Sequence, residues 1–111
     1  MSEEQARRVG LNEALFRQVN EEIRGLASSF ETEDGAMTVV CECGDSGCTD
    51  QIQVKVADYE RIRGDSRLYI IATGHDIPDL ESVVERQEGW DVVRKREGVP
   101  AELARETDPR S

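Results

Sequence analysis

Residues 40–48 read Val-Cys-Glu-Cys-Gly-Asp-Ser-Gly-Cys, and this stretch contains every cysteine of the 111-residue chain. Cys41 and Cys43 lie two apart in an alternating segment, and residues two apart on a β-strand point to the same face. Gly44 and Gly47 allow the following loop to fold back and to bring the third cysteine towards the first two. The stretch therefore predicts a strand that runs into a tight loop, with three thiols gathered on one side.

Three thiolates and one imidazole form an ordinary closed, tetrahedral ligand set for structural zinc. His75 is the only histidine of the chain, and it follows a predicted strand whose end can place it against the loop. The spacing Cys-x-Cys-x4-Cys is not the usual arrangement of two Cys-x-x-Cys pairs. Free thiols and an iron–sulfur or other metal site are therefore alternatives, and Asp45, Asp50 or a water is an alternative fourth ligand. We expect one structural Zn²⁺, bound by Cys41, Cys43, Cys48 and His75.

Strand periodicity is found on both sides of the loop, and further predicted elements follow it. Residues 37–43 and 51–56 alternate between apolar and polar side chains, which predicts a hairpin. A short helix is predicted over residues 58–64 and a further strand over 68–72. Residues 82–86 and 90–95 favour paired strands, although the segment before them, Asp-Ile-Pro-Asp, is also a reasonable helix start.

An amphipathic helix is predicted over residues 12–30, with Asn12 as its N-cap, after a frayed segment at residues 1–11. Apolar side chains recur there at steps of three or four, which is the helical period. The stripe consists of Leu15, Phe16, Val19, Ile23, Leu26 and Phe30. We expect it to pack against the protein's own sheet; a partner's groove or a second copy of the chain is the alternative.

One helix followed mostly by strands predicts an α+β fold, with the N-terminal amphipathic helix packed on a small, mostly antiparallel sheet that carries a zinc-stapled loop. We expect a single domain over residues 1–111. Its zinc-stabilised sheet region covers residues 36–97, and a polar tail at 98–111 holds at most one helical turn near 101–105. Hydrophobic residues make up only 37% of the chain, so the energy of metal binding would support a modest core.

Charge limits the partners of the chain. The formal net charge is −10, from 24 acidic and 14 basic side chains. Such a surface repels nucleic acid and anionic membranes, and it favours basic protein surfaces, of which the transcription or translation machinery is an example. The N-terminus lacks the apolar core of a signal peptide, so we expect a cytoplasmic protein with reduced thiols.

Several segments resemble a group of small bacterial, mainly actinobacterial, proteins that share the Cys-x-Cys-x4-Cys…Gly-His pattern. The similar segments are Asn12–Arg17, Val40–Cys48, Tyr59–Arg63, Gly74–His75, Val83–Arg86 and Glu106–Ser111. The resemblance spans nearly the whole chain and implies an intact single domain of bacterial origin. It carries no activity over to this chain.

The sequence contains no His-Glu-x-x-His run, phosphate loop or Gly-x-Ser-x-Gly elbow. Glu42 lies between two candidate ligands, but strand alternation points its side chain to the opposite face. We therefore expect no catalytic residues and no cofactor site beyond the metal. The expected function is a non-enzymatic interaction or regulatory module, with a zinc- or thiol-based redox sensor as the alternative and a zinc hydrolase as a weaker one.

Overall fold

The computed structural model describes residues 1–27 and 35–110. In this part of the chain the helices are α1 (Glu3–Ala27), α2 (Val56–Arg63) and α3 (Val99–Glu106), and the strands are β1 (Ala36–Val40), β2 (Gln51–Lys55), β3 (Leu68–Ala72), β4 (Glu81–Gln87) and β5 (Trp90–Lys95). An N-terminal helix followed by two small antiparallel sheets confirms the predicted α+β fold.

The first sheet is the predicted hairpin of β1 and β2, which encloses the cysteine loop. Val39 lies opposite Ile52 and Met37 lies opposite Val54, and all four side chains are buried. The alternating residues of β2, such as Gln53, are exposed. One face of the hairpin therefore packs into the protein while the other meets solvent, which is the pattern that the alternation predicted.

The second sheet has the order β3-β5-β4 and is antiparallel throughout. A two-residue turn joins β4 to β5, and its Gly89 has a φ of 84°, in the left-handed region that favours glycine. The paired strands predicted from residues 82–86 and 90–95 are thus confirmed, and the helical alternative for the first of them is wrong. The two sheets meet where the Glu42 amide donates to the Ile70 carbonyl at 2.8 Å.

The core draws on both sheets and on α2. Its fully buried members include Val39, Tyr59, Ile62, Tyr69, Ile70, Ile71, Val92 and Val93. Cys41 and Cys43 belong to the same cluster of buried side chains. The candidate thiols therefore lie at the border of the core rather than on a separate surface loop.

Helix α1 begins nine residues earlier than predicted. Ser2 Oγ accepts a hydrogen bond from the Gln5 amide at 3.1 Å, and Gln5 Oε1 accepts one from the Ser2 amide at 2.9 Å. This reciprocal capping box satisfies two amide groups at the start of the helix. Asn12 is therefore not the N-cap, and residues 3–11 are helical where a frayed segment was expected. The predicted end near residue 30 lies outside the described residues.

The face of α1 that is buried against the rest of the protein is largely polar. Its buried positions are Ala6, Gly10, Glu13, Arg17 and Asn20, which recur at steps of three or four and so share one side of the helix. Polar side chains can be buried in this way only where hydrogen-bond or ionic partners meet them. Strands, loops and helix α3, all distant in sequence, supply those partners.

The apolar stripe predicted on α1 is only partly covered. Leu15 and Leu26 are 60% and 66% exposed, whereas Val19 and Ile23 are half-buried. The expectation that the whole stripe packs on the sheet is wrong for both leucines, because the neighbouring polar face of α1 is the one buried against the rest of the protein. Phe30 lies outside the described residues.

A buried ion cluster fixes α1 to the second sheet. Lys95 of β5 pairs with both Glu13 of α1 and Glu81 of β4, and all three side chains are at most 2% exposed. The Lys95 ammonium also lies 5.1 Å from the centre of the Tyr69 ring. Burial raises the pKa of Glu13 to about 8, so that Glu13 holds a proton at neutral pH and the cluster is close to neutral.

The C-terminal segment is more structured than the predicted polar tail. Helix α3 has eight residues, of which Ala101, Leu103 and Ala104 are buried. Arg17 of α1 donates to the Ala104 carbonyl at 2.8 Å, so α3 is fastened directly to α1. The prediction of one helical turn at most was wrong because three small or apolar side chains in this segment lie on one buried face.

No helix within residues 1–27 and 35–110 is both long enough and apolar enough to cross a membrane. Helix α1 has the length, at 25 residues, but it carries acidic and basic side chains along its course. Such side chains are costly in the bilayer core.

Lys95→Met should lower the free energy of unfolding by about 3–5 kcal/mol, because two buried carboxyl groups lose their cation. Urea unfolding measures this effect. The matched control is Lys55→Met, which changes the only other lysine, an exposed residue of β2, and should stay within about 0.5 kcal/mol of the wild type. Equal effects of the two substitutions would contradict a buried ionic role for Lys95.

The stability of the protein should fall as pH rises from about 5 to 8. Glu13 keeps its proton in the folded chain until about pH 8, whereas the unfolded chain loses it near the ordinary value of 4.5, so unfolding releases a proton in this range. The Glu13 contribution should therefore decrease by up to about 1.4 kcal/mol per pH unit. Urea unfolding of the wild type and Glu13→Gln isolates it as the difference between the two. The control Glu22→Gln, at an exposed position of the same helix, should keep the wild-type slope.

Candidate metal centre

The cysteine loop is held in shape by backbone hydrogen bonds. β1 ends at Val40, so the first two cysteines lie just after the strand rather than within it. The Cys41 amide donates to the Asp50 carbonyl at 2.9 Å and closes the base of the loop. At its tip, the Cys48 amide donates to the Asp45 carbonyl at 3.0 Å, and this turn carries the third thiol back towards the others.

His75 reaches the loop from the end of β3. Its amide donates to the Ala72 carbonyl at 3.1 Å, closing a turn after the strand. Gly74 occupies this turn with a φ of 84°, where a residue with a side chain would be strained. The sequence predicted that a strand end would place His75 against the cysteines, and the structure confirms it.

Four side chains from the two segments come together. One ligand atom from each of Cys41, Cys43, Cys48 and His75 lies within 4.8 Å of the others. His75 Nδ1 is 3.6 Å from Cys41 Sγ and 3.7 Å from Cys48 Sγ. This is the only group of three or more potential metal ligands among residues 1–27 and 35–110. The arrangement can hold a metal ion.

The candidate ligands differ in their burial. Cys41 and Cys43 are 1% and 4% exposed, while Cys48 and His75 are half-buried. The Ala72 amide donates to Cys41 Sγ at 3.2 Å, an interaction that suits a sulfur carrying negative charge. Burial raises the pKa of the Cys41 and Cys43 thiols, so that without a cation they remain protonated and weakly nucleophilic at neutral pH.

The two aspartates proposed as alternative fourth ligands face other groups. Asp45 Oδ1 accepts from the Gly47 amide at 2.8 Å, within the loop itself. Asp50 Oδ2 lies 3.4 Å from His75 Nε2, on the side of the ring away from the thiols. Neither belongs to the four-residue group, which favours His75 as the fourth ligand.

Glu42 points away from the thiols, as strand alternation predicted, and its carboxylate is completely buried. Asn20 Nδ2 donates to it at 2.6 Å, Arg63 Nη2 at 2.7 Å and the Ile70 amide at 2.9 Å. These donors belong to α1, α2 and β3. The sequence indicated the direction of the side chain but contained no signal for its partners, which lie 21 to 28 residues away.

Helix α1 also contacts the loop. Asn12 Nδ2 donates to the Gly44 carbonyl at 3.2 Å. A Cβ on Gly44 would lie 2.2 Å from Val9 Cγ1, whereas one on Gly47 would meet its nearest neighbour, Asp45 Oδ1, at 3.4 Å. Neither glycine has a positive φ. Gly44 is therefore required by the close approach of α1 and not by the conformation of the loop.

A shallow cavity of about 240 Å³ opens beside the four side chains. It is lined by Cys43, Gly44, Asp45, Gly74, His75, Asp76 and Ile77. The cavity gives solvent and small solutes access to one side of the centre, while the core covers the other side.

Comparison with known proteins gave no match: no family model, no curated protein and no solved structure is significantly similar to the chain.

Gly44→Ala should lower the free energy of unfolding by about 1–3 kcal/mol, because the added methyl group pushes the loop away from Val9. Gly47→Ala places the same methyl group in ordinary contact and should change stability by less than about 0.5 kcal/mol. Urea unfolding of both variants measures the difference. If the two glycines tolerate alanine equally, α1 does not approach the loop as closely as the 2.2 Å separation between the added Cβ and Val9 Cγ1 requires.

Proposed function

We propose that the chain binds one zinc ion through Cys41, Cys43, Cys48 and His75, and that this ion is structural. The observation that carries the proposal is the spacing of the ligand atoms. Tetrahedral zinc, with Zn–S of about 2.3 Å and Zn–N of about 2.0–2.1 Å, places sulfur and nitrogen about 3.5–3.6 Å apart. The two S···Nδ1 separations of 3.6 and 3.7 Å fit this requirement.

The donor set supports zinc over other cations. Thiolate and imidazole ligands suit zinc, whereas magnesium and calcium prefer oxygen. Four protein ligands complete a tetrahedron and leave no position for a substrate or a reactive water. The closed set therefore favours a structural ion over a hydrolytic one.

The position of the site supports a structural role. The ion would join the cysteine loop to the end of β3, and thus the hairpin to the three-stranded sheet. Two of its ligands border the core, so binding there would contribute directly to the free energy of folding.

We further propose a non-enzymatic interaction or regulatory module that works in the cytoplasm, where reduced thiols keep the zinc site loaded. The net charge of −10 favours a partner with a basic protein surface, as in the transcription or translation machinery. Leu15 and Leu26 on α1 would add apolar contact to such a partner or to a second copy of the chain.

A redox sensor is the second candidate, favoured by the half-buried Cys48 and by the cavity beside Cys43. In that function hydrogen peroxide would oxidise two thiols to a disulfide, would itself be reduced to water, and the metal would be released. The raised pKa values of Cys41 and Cys43 count against fast reaction of the free thiols.

Elemental analysis should find about one zinc per wild-type chain purified under reducing conditions without chelator. The cobalt-substituted protein should show the intense absorption of a tetrahedral thiolate site. Cys43→Ser and His75→Ala should lower zinc content and alter the cobalt spectrum, whereas Asp76→Asn, which changes a neighbour of His75 in the same cavity, should do neither.

The absence of metal from fresh, reduced wild-type protein would contradict the proposal. Loss of zinc at peroxide concentrations that leave other cysteine–zinc proteins loaded would favour the redox sensor instead. A cobalt spectrum with fewer than four protein ligands would favour a hydrolytic site.

A further inference from the structure

The two ring nitrogens of His75 face different groups. Nδ1 lies within 3.7 Å of the Cys41 and Cys48 sulfurs, and Nε2 lies 3.4 Å from Asp50 Oδ2. The imidazole thus stands between the candidate metal ligands and a carboxylate.

We propose that Asp50 is the positioning residue of the metal centre: its carboxylate accepts the Nε2 proton of His75 and thereby holds Nδ1 towards the metal. This inference rests on the proposed metal binding and assigns to Asp50 a role outside the coordination sphere.

The chemistry of imidazole supports this role. When Nδ1 binds a metal ion, the neutral ring carries its proton on Nε2. A carboxylate that accepts this proton fixes the tautomer and the ring orientation, and it makes Nδ1 a stronger donor. A small rotation of the exposed Asp50 side chain would shorten the 3.4 Å separation to the roughly 2.7–2.9 Å of a charge-assisted hydrogen bond.

Main-chain contacts fix the position of the Asp50 backbone, from which its side chain extends. The Asp50 carbonyl accepts from the Cys41 amide at 2.9 Å, and the next residue, Gln51, starts β2. The carboxylate is therefore carried from the base of the same loop that holds the cysteines. Since this bond uses the main chain, a change of the Asp50 side chain need not disturb it.

The pairing is also exclusive within residues 1–27 and 35–110. His75 Nε2 is the only basic nitrogen within ion-pair distance of the Asp50 carboxylate there. Asp45, the other acidic residue of the loop, instead accepts from the Gly47 amide. The two aspartates carry the same charge on the same loop but contact different groups, and this makes them a matched pair for experiment.

Competition with a chromogenic chelator measures zinc affinity in the wild type, Asp50→Ala, Asp50→Asn and the control Asp45→Asn. Both Asp50 variants should bind zinc about 10- to 100-fold more weakly. Asp45→Asn removes the same charge yet keeps an oxygen for the Gly47 amide, so its affinity should remain within about 3-fold of the wild type. Asp50→Glu, which restores a carboxylate, should recover part of the loss.

Two spectroscopic measurements separate positioning from general stability. The cobalt spectrum of Asp50→Ala should match the wild type, because the same four atoms still bind the metal. In ¹⁵N-edited NMR of the zinc-loaded wild type, the His75 Nε2 proton should be visible and protected from exchange, and in Asp50→Ala it should exchange too fast to observe.

Three outcomes would overturn the inference. Equal zinc affinity in Asp50→Ala and Asp45→Asn would show that Asp50 has no special role. A cobalt spectrum altered in Asp50→Ala as it is in His75→Ala would make Asp50 a ligand instead. A wild-type chain that binds neither zinc nor cobalt would overturn the proposed function and this inference together, whereas the first two outcomes leave zinc binding intact.

Discussion

The carboxylate of Glu42 lies where the cysteine loop meets α1, α2 and the three-stranded sheet. It is completely buried, and α1, α2 and β3 each donate one hydrogen bond to it, through Asn20, Arg63 and the Ile70 amide. A buried carboxylate is stable only while such partners remain in place. Because its neighbours in sequence are Cys41 and Cys43, the same three residues present thiols on one side and organise the helices on the other. Residues 41–43 therefore supply two candidate metal ligands on one side and, on the other side, the carboxylate that receives hydrogen bonds from α1, α2 and β3.

Much of the fold follows from local sequence signals. Alternation identified β1 and β2, because side chains on a strand alternate between core and solvent. An apolar run identified β3, and the turn signal around Gly89 identified the pair β4 and β5. The grouping of the four candidate ligands was also predictable, since the cysteines lie within eight residues and the chain has a single histidine. The helices were less predictable at their ends. At the start of α1, the capping pair of Ser2 and Gln5 is a recognisable signal, but the high charge of residues 1–10 favoured a frayed segment. The extent of α3 was missed because only three of its residues are buried.

What the sequence could not reveal is which face of α1 is buried. Predicting the buried face of a helix from its periodicity assumes that apolar side chains are the ones removed from water. Here the inward positions include Glu13, Arg17 and Asn20, and their partners come from β4, β5, α3, the hairpin and the turn before β3. These are long-range pairings between charged or polar groups, and no pattern within the helix itself encodes them. The same holds for Asp50, whose approach to His75 depends on how the hairpin and the end of β3 are brought together.

The ion cluster of Glu13, Lys95 and Glu81 also limits how this protein can change over evolutionary time. An apolar contact tolerates stepwise replacement, because one hydrophobic side chain can substitute for another at modest cost. The buried cluster does not, since the loss of Lys95 leaves Glu81 without its counter-charge, and the loss of either carboxyl group leaves the Lys95 ammonium short of a partner. These three positions, on α1, β4 and β5, should therefore vary only together among descendants of this sequence.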